Sequence, residues 1–248
     1  MPLDLQLPKK PGLFITGTDT GVGKTIIAGA IAMILKAKGL NVGVFKPIAT
    51  GCKQTWDGLI NQDTEFLANC ANSELALSTI TPVGYPTPAA PIVSADCDGP
   101  AINFEKIATA YKKICQQSDI VIIEGIGGVR VPLTDESDLL DLAVEFDLPL
   151  VIVARPNLGT INHTLMTIDC VHAAKLKIAG VIINGYDATK ATTAEETAEH
   201  VISRRGSINV LSVVPFDETT DMENANPGQF VLQSLSDCNW QKLAQFNK

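Results

Sequence analysis

The sequence predicts an α/β fold: one domain over residues 1–248, built on a doubly wound, mainly parallel sheet with helices on both faces. Three observations predict it. Short β-branched runs alternate with helical stretches along the chain. Those runs are nearly continuous apolar stretches, as expected of strands covered on both faces of a parallel sheet. A glycine-rich turn at residues 17–25 stands between the first run and the first helix.

In chain order, residues 13–16 read as a strand and residues 24–38 as a helix that stops at Gly39. Further strands are predicted at 41–45, 120–124, 150–154, 178–184 and 210–215. Helices are predicted at 62–70, 103–117, 138–146, 160–174, 191–204 and 228–244. Residues 79–100 break the rhythm, with Pro82, Pro86, Pro88, Pro91 and Pro100 and no helical period. That stretch is either a long surface connection or a border of the substrate site. No repeat, low-complexity tract or interdomain linker is visible.

At 248 residues the chain can bury a core without disulfides or a structural metal. Hydrophobic residues make up 46% and charged residues 19%, ordinary for a globular protein. The net charge of −8 has no basic run within it, which argues against a nucleic-acid partner. The first residues lack the apolar core of a secretory signal. The longest apolar stretch, residues 26–35, is too short to span a bilayer and suits a buried helix; no membrane partner is expected. Cysteines 52, 70, 97, 115, 170 and 238 form no Cys-x-x-Cys pair and read as small core residues in a reducing compartment, the cytoplasm.

The strongest local signal is Gly17-Thr-Asp-Thr-Gly-Val-Gly-Lys-Thr25. Strand before and helix after, this is a phosphate-binding P-loop, and the fold becomes one of the P-loop NTPase type. Gly21, Val22 and Gly23 turn backbone N–H groups toward an anion at the helix N-terminus, and Ile26 continues the first turn. Lys24 would reach the β- and γ-phosphates of ATP, and Thr25 would give its hydroxyl to Mg²⁺. The spacing departs from Gly-x4-Gly-Lys-Thr: five residues separate Gly17 from Gly23, and Thr18 holds the first-glycine place. GTPases carry an Asn-Lys-x-Asp motif that is absent here. A partner-switching ATPase of the deviant P-loop type is the alternative reading. Such ATPases carry a lysine where this chain has Asp19.

Three further stretches, Lys46-Pro-Ile-Ala-Thr-Gly51, Glu124-Gly-Ile-Gly-Gly128 and Gly159-Thr-Ile-Asn-His163, follow the P-loop in order. Together the four resemble dethiobiotin synthetase over roughly residues 13–217. The related cobyrinic-acid amidases carry a glutaminase domain for which this chain has no room. The resemblance implies an ATP- and Mg²⁺-dependent ligase of biotin biosynthesis. It would join CO2 to 7,8-diaminononanoate and close the ring of dethiobiotin through a carbamate and its phosphorylated anhydride.

By the same resemblance, Lys46 and Lys24 are the catalytic cations, and Thr25, Asp63 and Glu124 hold the metal. Read alone, Asp63 could simply cap the helix that follows it. Gly125, Ile126, Gly127 and Gly128 would let substrate or nucleotide approach the backbone. Asn184, Gly185, Pro215, Phe216 and Asp217 lie at the adenine end, with Gly185 where some relatives have Asp. Gly21 stands where some relatives have Glu. Thr50 replaces a family Ser that contacts substrate. Thr160, Ile161 and Asn162 open a helix that would hold the substrate carboxylate of the neighbouring protomer in a homodimer; read alone, they are a plain helix start capped by Thr160. His163, His172 and His200 have no metal-ligand spacing, Asn162-His163-Thr164 is a sequon without a secretion signal, and Trp56 and Trp240 read as packing residues.

Overall fold

The computed structural model describes residues 3–56 and 58–246. In chain order the elements are β1 (Gly12–Gly17), α1 (Lys24–Ala37), β2 (Val42–Phe45), β3 (Ile48–Thr50), β4 (Lys53–Thr55), β5 (Gly58–Ile60), α2 (Gln62–Ala71), α3 (Leu77–Ile80), β6 (Val83–Tyr85), α4 (Pro91–Asp98) and α5 (Phe104–Gln117). They continue with β7 (Ile120–Gly128), α6 (Leu139–Phe146), β8 (Leu150–Ala154), α7 (Thr160–Ala173), β9 (Ile178–Tyr186), α8 (Thr193–Gly206), β10 (Val210–Pro215), α9 (Gln229–Ser236) and α10 (Trp240–Leu243).

The main sheet runs β10-β9-β8-β1-β7-β2, with every pairing parallel. From β1 the chain first lays β2 at the edge and fills the place between them with β7, then crosses to the other side for β8, β9 and β10. The C-terminal ends of β1, β7 and β8 therefore lie side by side at the reversal of strand order, where open α/β sheets place their crevice.

Alternate residues of each strand feed opposite cores, which is why the strands read as continuous apolar runs. Leu13 and Ile15 of β1 pack with Ile27, Ile31 and Leu35 of α1, Leu235 of α9 and Trp240 of α10. Phe14 joins the other side, with Tyr111 of α5, Leu142 and Phe146 of α6 and Val171 of α7. There Phe14, Phe45, Tyr111 and Phe146 form a tilted and edge-on aromatic group with ring centroids 4.9–6.0 Å apart. A third cluster joins Ile152 and Ile183 to Ile168 of α7 and Ile202 of α8.

The structure corrects several sequence expectations. Residues 79–100 hold β6, which pairs with β3, and the helix α4, which begins at Pro91. Proline is tolerated there because the first-turn N–H has no intrahelical partner. The predicted helix 228–244 is two helices. Asn239 accepts from Lys242 N to start α10, and Trp240 Nε1 donates to the Leu235 carbonyl at the end of α9. Trp240 is a core residue, but Trp56 is fully exposed, so its packing expectation fails. Cys97 is exposed and Cys170 and Cys238 are half-buried, leaving Cys52, Cys70 and Cys115 as the core cysteines. Among the described residues no helix is long and apolar enough to cross a membrane.

One glycine sets the spacing between the two helices nearest the phosphate loop. A Cβ on Gly29 of α1 would sit 2.4 Å from Phe66 Cε1 and 2.9 Å from Cys70 Sγ of α2. That close approach carries Asp63, on the first turn of α2, toward Thr25 on α1. Gly29→Val is expected to cost about 2 kcal/mol through overpacking, read as a thermal midpoint lower by about 4–8 °C. An unchanged midpoint would show that the helices do not depend on this contact.

Candidate active site

The loop between β1 and α1 is shaped by backbone demands. Gly21 has φ 73° and Gly23, the N-cap of α1, has φ 91°, in the left-handed region that glycine tolerates. No side chain caps α1, so its first N–H groups stay available to an anion. Gly17 explains the unusual spacing. A Cβ there would lie 2.8 Å from the Asp19 carbonyl and 3.1 Å from Lys24 Nζ, so the last residue of β1 has to be the small one.

Beside the loop lies a buried ionic cluster. Lys46 follows β2, Glu124 sits in β7, Asp63 on α2 and Thr25 on α1, with Lys46 and Glu124 almost wholly shielded from solvent. Lys46 Nζ donates to Glu124 Oε1 at 2.7 Å and to Asp63 Oδ2 at 2.8 Å, and Thr25 Oγ1 donates to Glu124 Oε1 at 2.9 Å. Burial works against the Lys46 charge, but Glu124 and Asp63 outweigh it and hold its pKa above the ordinary value. Burial pushes Glu124 up, with Lys46 opposing. For Asp63 burial is overcome by Lys46, and its pKa is lowered. Lys24 Nζ donates to the Asp19 carbonyl at 3.1 Å, and burial pulls its pKa down to about 8 despite Glu124. A phosphate beside it would favour the charged form.

The cluster suits a small hard cation. Glu124 Oε2 is buried without a hydrogen-bond partner, and the Thr25 hydroxyl and the Asp63 carboxylate stand beside it in the same network. The described residues contain no group of three His, Cys, Asp or Glu side chains able to hold a metal alone. A cation here would therefore complete its shell with phosphate oxygens and water. Asp63 is not the cap of α2: Asn61 is, accepting from Asp63 N at 3.1 Å.

Two cavities flank the loop. One of about 480 Å³ is lined by Gly21, Val22, Gly23, Ile26, Asn184, Gly185, Pro215, Phe216 and Asp217, nine of the residues expected at the nucleotide; Lys24, Thr25, Asp63 and Glu124 lie outside its lining. Asn184 Nδ2 donates to the Val22 carbonyl at 3.0 Å, and a Cβ on Gly23 would collide with that amide. Phe216 is exposed into the cavity. The Asp217 carboxylate is occupied: it accepts from Thr219 N, Thr219 Oγ1 and Phe230 N at 2.6–2.9 Å. It thereby caps α9, whose own N-cap is Gly228. Arg155, Asn157 and Glu218 also line this cavity and carry no sequence motif. Arg155 follows the end of β8, the strand-end position that could have singled it out.

The second cavity, about 530 Å³, lies between Thr18–Thr20, Gly128–Pro132 and the α7 residues His163, Met166 and Thr167. Other expected residues stand apart from both cavities. β7 continues through the glycines after Glu124, and Gly125 has a packing cause: its Cβ would lie 2.8 Å from Leu139 Cδ2 and 3.1 Å from Phe14 Cε1. Gly127 is crowded by Val131, and Ile126 packs on the core. Thr50 ends β3, half-buried. Thr160, Ile161 and Asn162 open α7 and line neither cavity. Gly159 is the N-cap, so Thr160 does not cap; its buried hydroxyl has no partner.

This arrangement can be set against known proteins. A model of the AAA domain family matches residues 11–224. The ATP-dependent dethiobiotin synthetase of Thermodesulfovibrio yellowstonii is 36% identical over 233 residues, 91% of this chain and 96% of that protein. The chain belongs to the dethiobiotin synthetase family. The Bacillus licheniformis member is 38% identical over 218 residues, covering 88% of this chain and 89% of its own. Solved structures outside the family share the fold. The MinC:MinD cell division protein complex of Aquifex aeolicus matches with a TM-score of 0.57 at 14% identity, over 96% of both chains. Apo McdA from Cyanthece matches at 0.52 and 14% identity, over 96% of this chain and 97% of its own. At that identity the likeness is one of architecture only.

Proposed function

We propose that the whole chain, 1–248, is one ATP- and Mg²⁺-dependent synthetase domain that joins CO2 to 7,8-diaminononanoate and closes the ring of dethiobiotin, releasing ADP and phosphate. The observation that carries this reading is Lys46, held 2.7 Å from Glu124 and 2.8 Å from Asp63 beside the phosphate loop. The relatives named as ATP-dependent dethiobiotin synthetases along nearly their full length support the substrate. Six free cysteines accord with a reducing compartment, read here as the cytoplasm.

The chemistry asks for cations. One amine adds to CO2 and loses a proton to leave a carbamate. The carbamate oxygen takes the γ-phosphoryl group from ATP, which departs as ADP. The second amine then attacks the carbonyl, its N–C bond forming as the C–O bond to phosphate breaks. Carbamate and triphosphate repel each other, so transfer needs positioning and neutralised charge. Lys46 would meet the carbamate and the γ-phosphate, Lys24 the β- and γ-phosphates, and the uncapped start of α1 would add backbone donors. A Mg²⁺ held by Thr25, Asp63 and Glu124 would neutralise the phosphate oxygens. Thr50 would border the substrate, Gly125, Ile126 and Gly127 the nucleotide or substrate, and the cavity between Asn184 and Phe216 would take the base.

The protein would work as a homodimer, with the substrate carboxylate on the partner's α7. The nine-carbon substrate separates its diamine from its carboxylate. The first turn of α7 has a left-handed Gly159 as its N-cap and no side-chain cap; Thr160 N donates to the Asn157 carbonyl, which leaves the N–H groups of Ile161 and Asn162 for a carboxylate. Leu158 and Met166 flank it as exposed apolar residues.

The activity is tested by ADP release with diaminononanoate, bicarbonate or Mg²⁺ left out in turn: each omission should stop turnover, and hydrolysis indifferent to the first two would sink the reading. The dimer is tested by mixing Lys46→Ala with Ile161→Asp protein. After subunit exchange, heterodimers hold one intact composite site, so about a quarter of wild-type activity should return. A mixture that stays inactive despite demonstrated exchange would place the carboxylate site within one subunit.

A further inference from the structure

Among the described residues Arg155 is the one arginine on the nucleotide cavity, yet its hydrogen bonds run to the phosphate loop and not into the cavity. Its Nη2 donates to Asp19 Oδ2 and to the Thr20 carbonyl, both at 3.0 Å. Around the same dipeptide, Thr20 N donates to Asp19 Oδ1 at 2.7 Å, and Lys24 Nζ donates to the Asp19 carbonyl at 3.1 Å. One residue earlier, Thr18 N donates at 2.9 Å to the carbonyl of Val153, on β8 two residues before Arg155. The outer limb of the loop is thus fastened to the end of β8 at two levels, by backbone at Thr18 and by guanidinium at Asp19 and Thr20. In the limb that follows, Asn184 Nδ2 holds the Val22 carbonyl at 3.0 Å, and Gly21 lies between these anchors in open space, where a Cβ would touch nothing within 4 Å.

We propose that Arg155 is a positioning residue for the phosphate loop, a clamp that fixes Asp19 and Thr20 so that the N–H groups of residues 21–25 are arranged before nucleotide arrives. This rests on the P-loop nucleotide site of the proposed function and not on the ring-closing step. A free loop that samples several arrangements binds more weakly by the fraction of time it is competent. The clamp removes that loss. It also pairs the Asp19 carboxylate, which lessens the negative charge that carboxylate presents to the phosphates. Both side chains are about half exposed, so the pair itself adds little to folding, and variants should fold.

The sign of the Asp19 effect separates a clamp from a direct phosphate contact. Charge alone predicts that Asp19→Ala tightens binding, because it removes an anion near the phosphates. The clamp predicts the opposite. ADP affinity is measured by calorimetry at fixed salt for wild type, Arg155→Gln, Arg155→Lys, Asp19→Ala and the double variant Arg155→Gln/Asp19→Ala. Arg155→Gln and Asp19→Ala should each weaken ADP roughly five- to tenfold, the scale of one exposed ion pair with its loop ordering. The double variant should be no weaker than Arg155→Gln within about twofold, since the two act as one unit. Arg155→Lys, which keeps the charge but loses the planar guanidinium whose Nη2 reaches both acceptors, should recover only part of the loss.

In turnover, KM for ATP should rise while kcat stays within about twofold, because the clamp acts on the loop before chemistry. Asp19→Ala binding ADP as tightly as wild type or tighter would overturn the proposal, as would full additivity in the double variant or an equal loss in kcat. A wild-type protein that binds ADP but makes no dethiobiotin would sink the ring-closing reading and leave these binding comparisons to decide the clamp.

Discussion

The structure turns on one buried interaction, Lys46 held between Glu124 and Asp63 with Thr25 on the same carboxylate. An isolated charge so deep in the chain would be expensive, and each member is tolerable only because the others are there. The four residues come from the end of β2, from β7, and from the first turns of α1 and α2. The cluster therefore fixes how four separate elements meet. Lys24 stands beside it with its pKa pulled down to about 8 by burial, so the site contains two lysines and two carboxylates in close balance. A balance of this kind keeps cations in a shielded crevice where incoming phosphate would meet them without the screening of bulk water.

The fold supplies that crevice by topology. Because the chain reverses direction of growth at β1, the ends of β7 and β8 flank the phosphate loop on either side. β7 delivers Glu124, and β8 delivers Arg155 to the back of the loop. Small residues then allow close approach: Gly17 at the loop backbone, Gly29 where α1 meets α2, Gly125 against Phe14 and Leu139. The same architecture occurs in cell division proteins at 14% identity, so architecture alone does not set activity. In this chain Asp19, where partner-switching ATPases carry a lysine, is tied internally to Arg155.

Much of this was legible in the sequence. Strands 150–154 and 210–215 are found as predicted, because long apolar β-branched runs between turns leave few alternatives. The phosphate loop, Lys46 and Glu124 are visible as motifs and Asp63 only through the family resemblance, but the ion pairs joining them are not, since they link residues 78 positions apart or come from separate elements. Three-residue strands such as β3 and β6 are too short to carry a period, so residues 79–100 looked structureless. The family resemblance places Asp217 at the nucleotide; the hydrogen bond from Phe230 N, which ties its carboxylate to α9, lies beyond local pattern. Gly29 was invisible inside a good helix, because its reason lies on α2.

The central claim is that Lys46 and Glu124 form one coupled unit, and a double-mutant cycle on folding stability tests it most directly. Chemical denaturation at pH 7 would compare Lys46→Met, Glu124→Gln and the double variant. Removing one partner of a buried pair strands the other, at a cost of about 3 kcal/mol or more. The account predicts that the double variant falls short of the summed single losses by at least about 2 kcal/mol, the signature of residues sharing one interaction. Losses that add to within about 0.5 kcal/mol would contradict it.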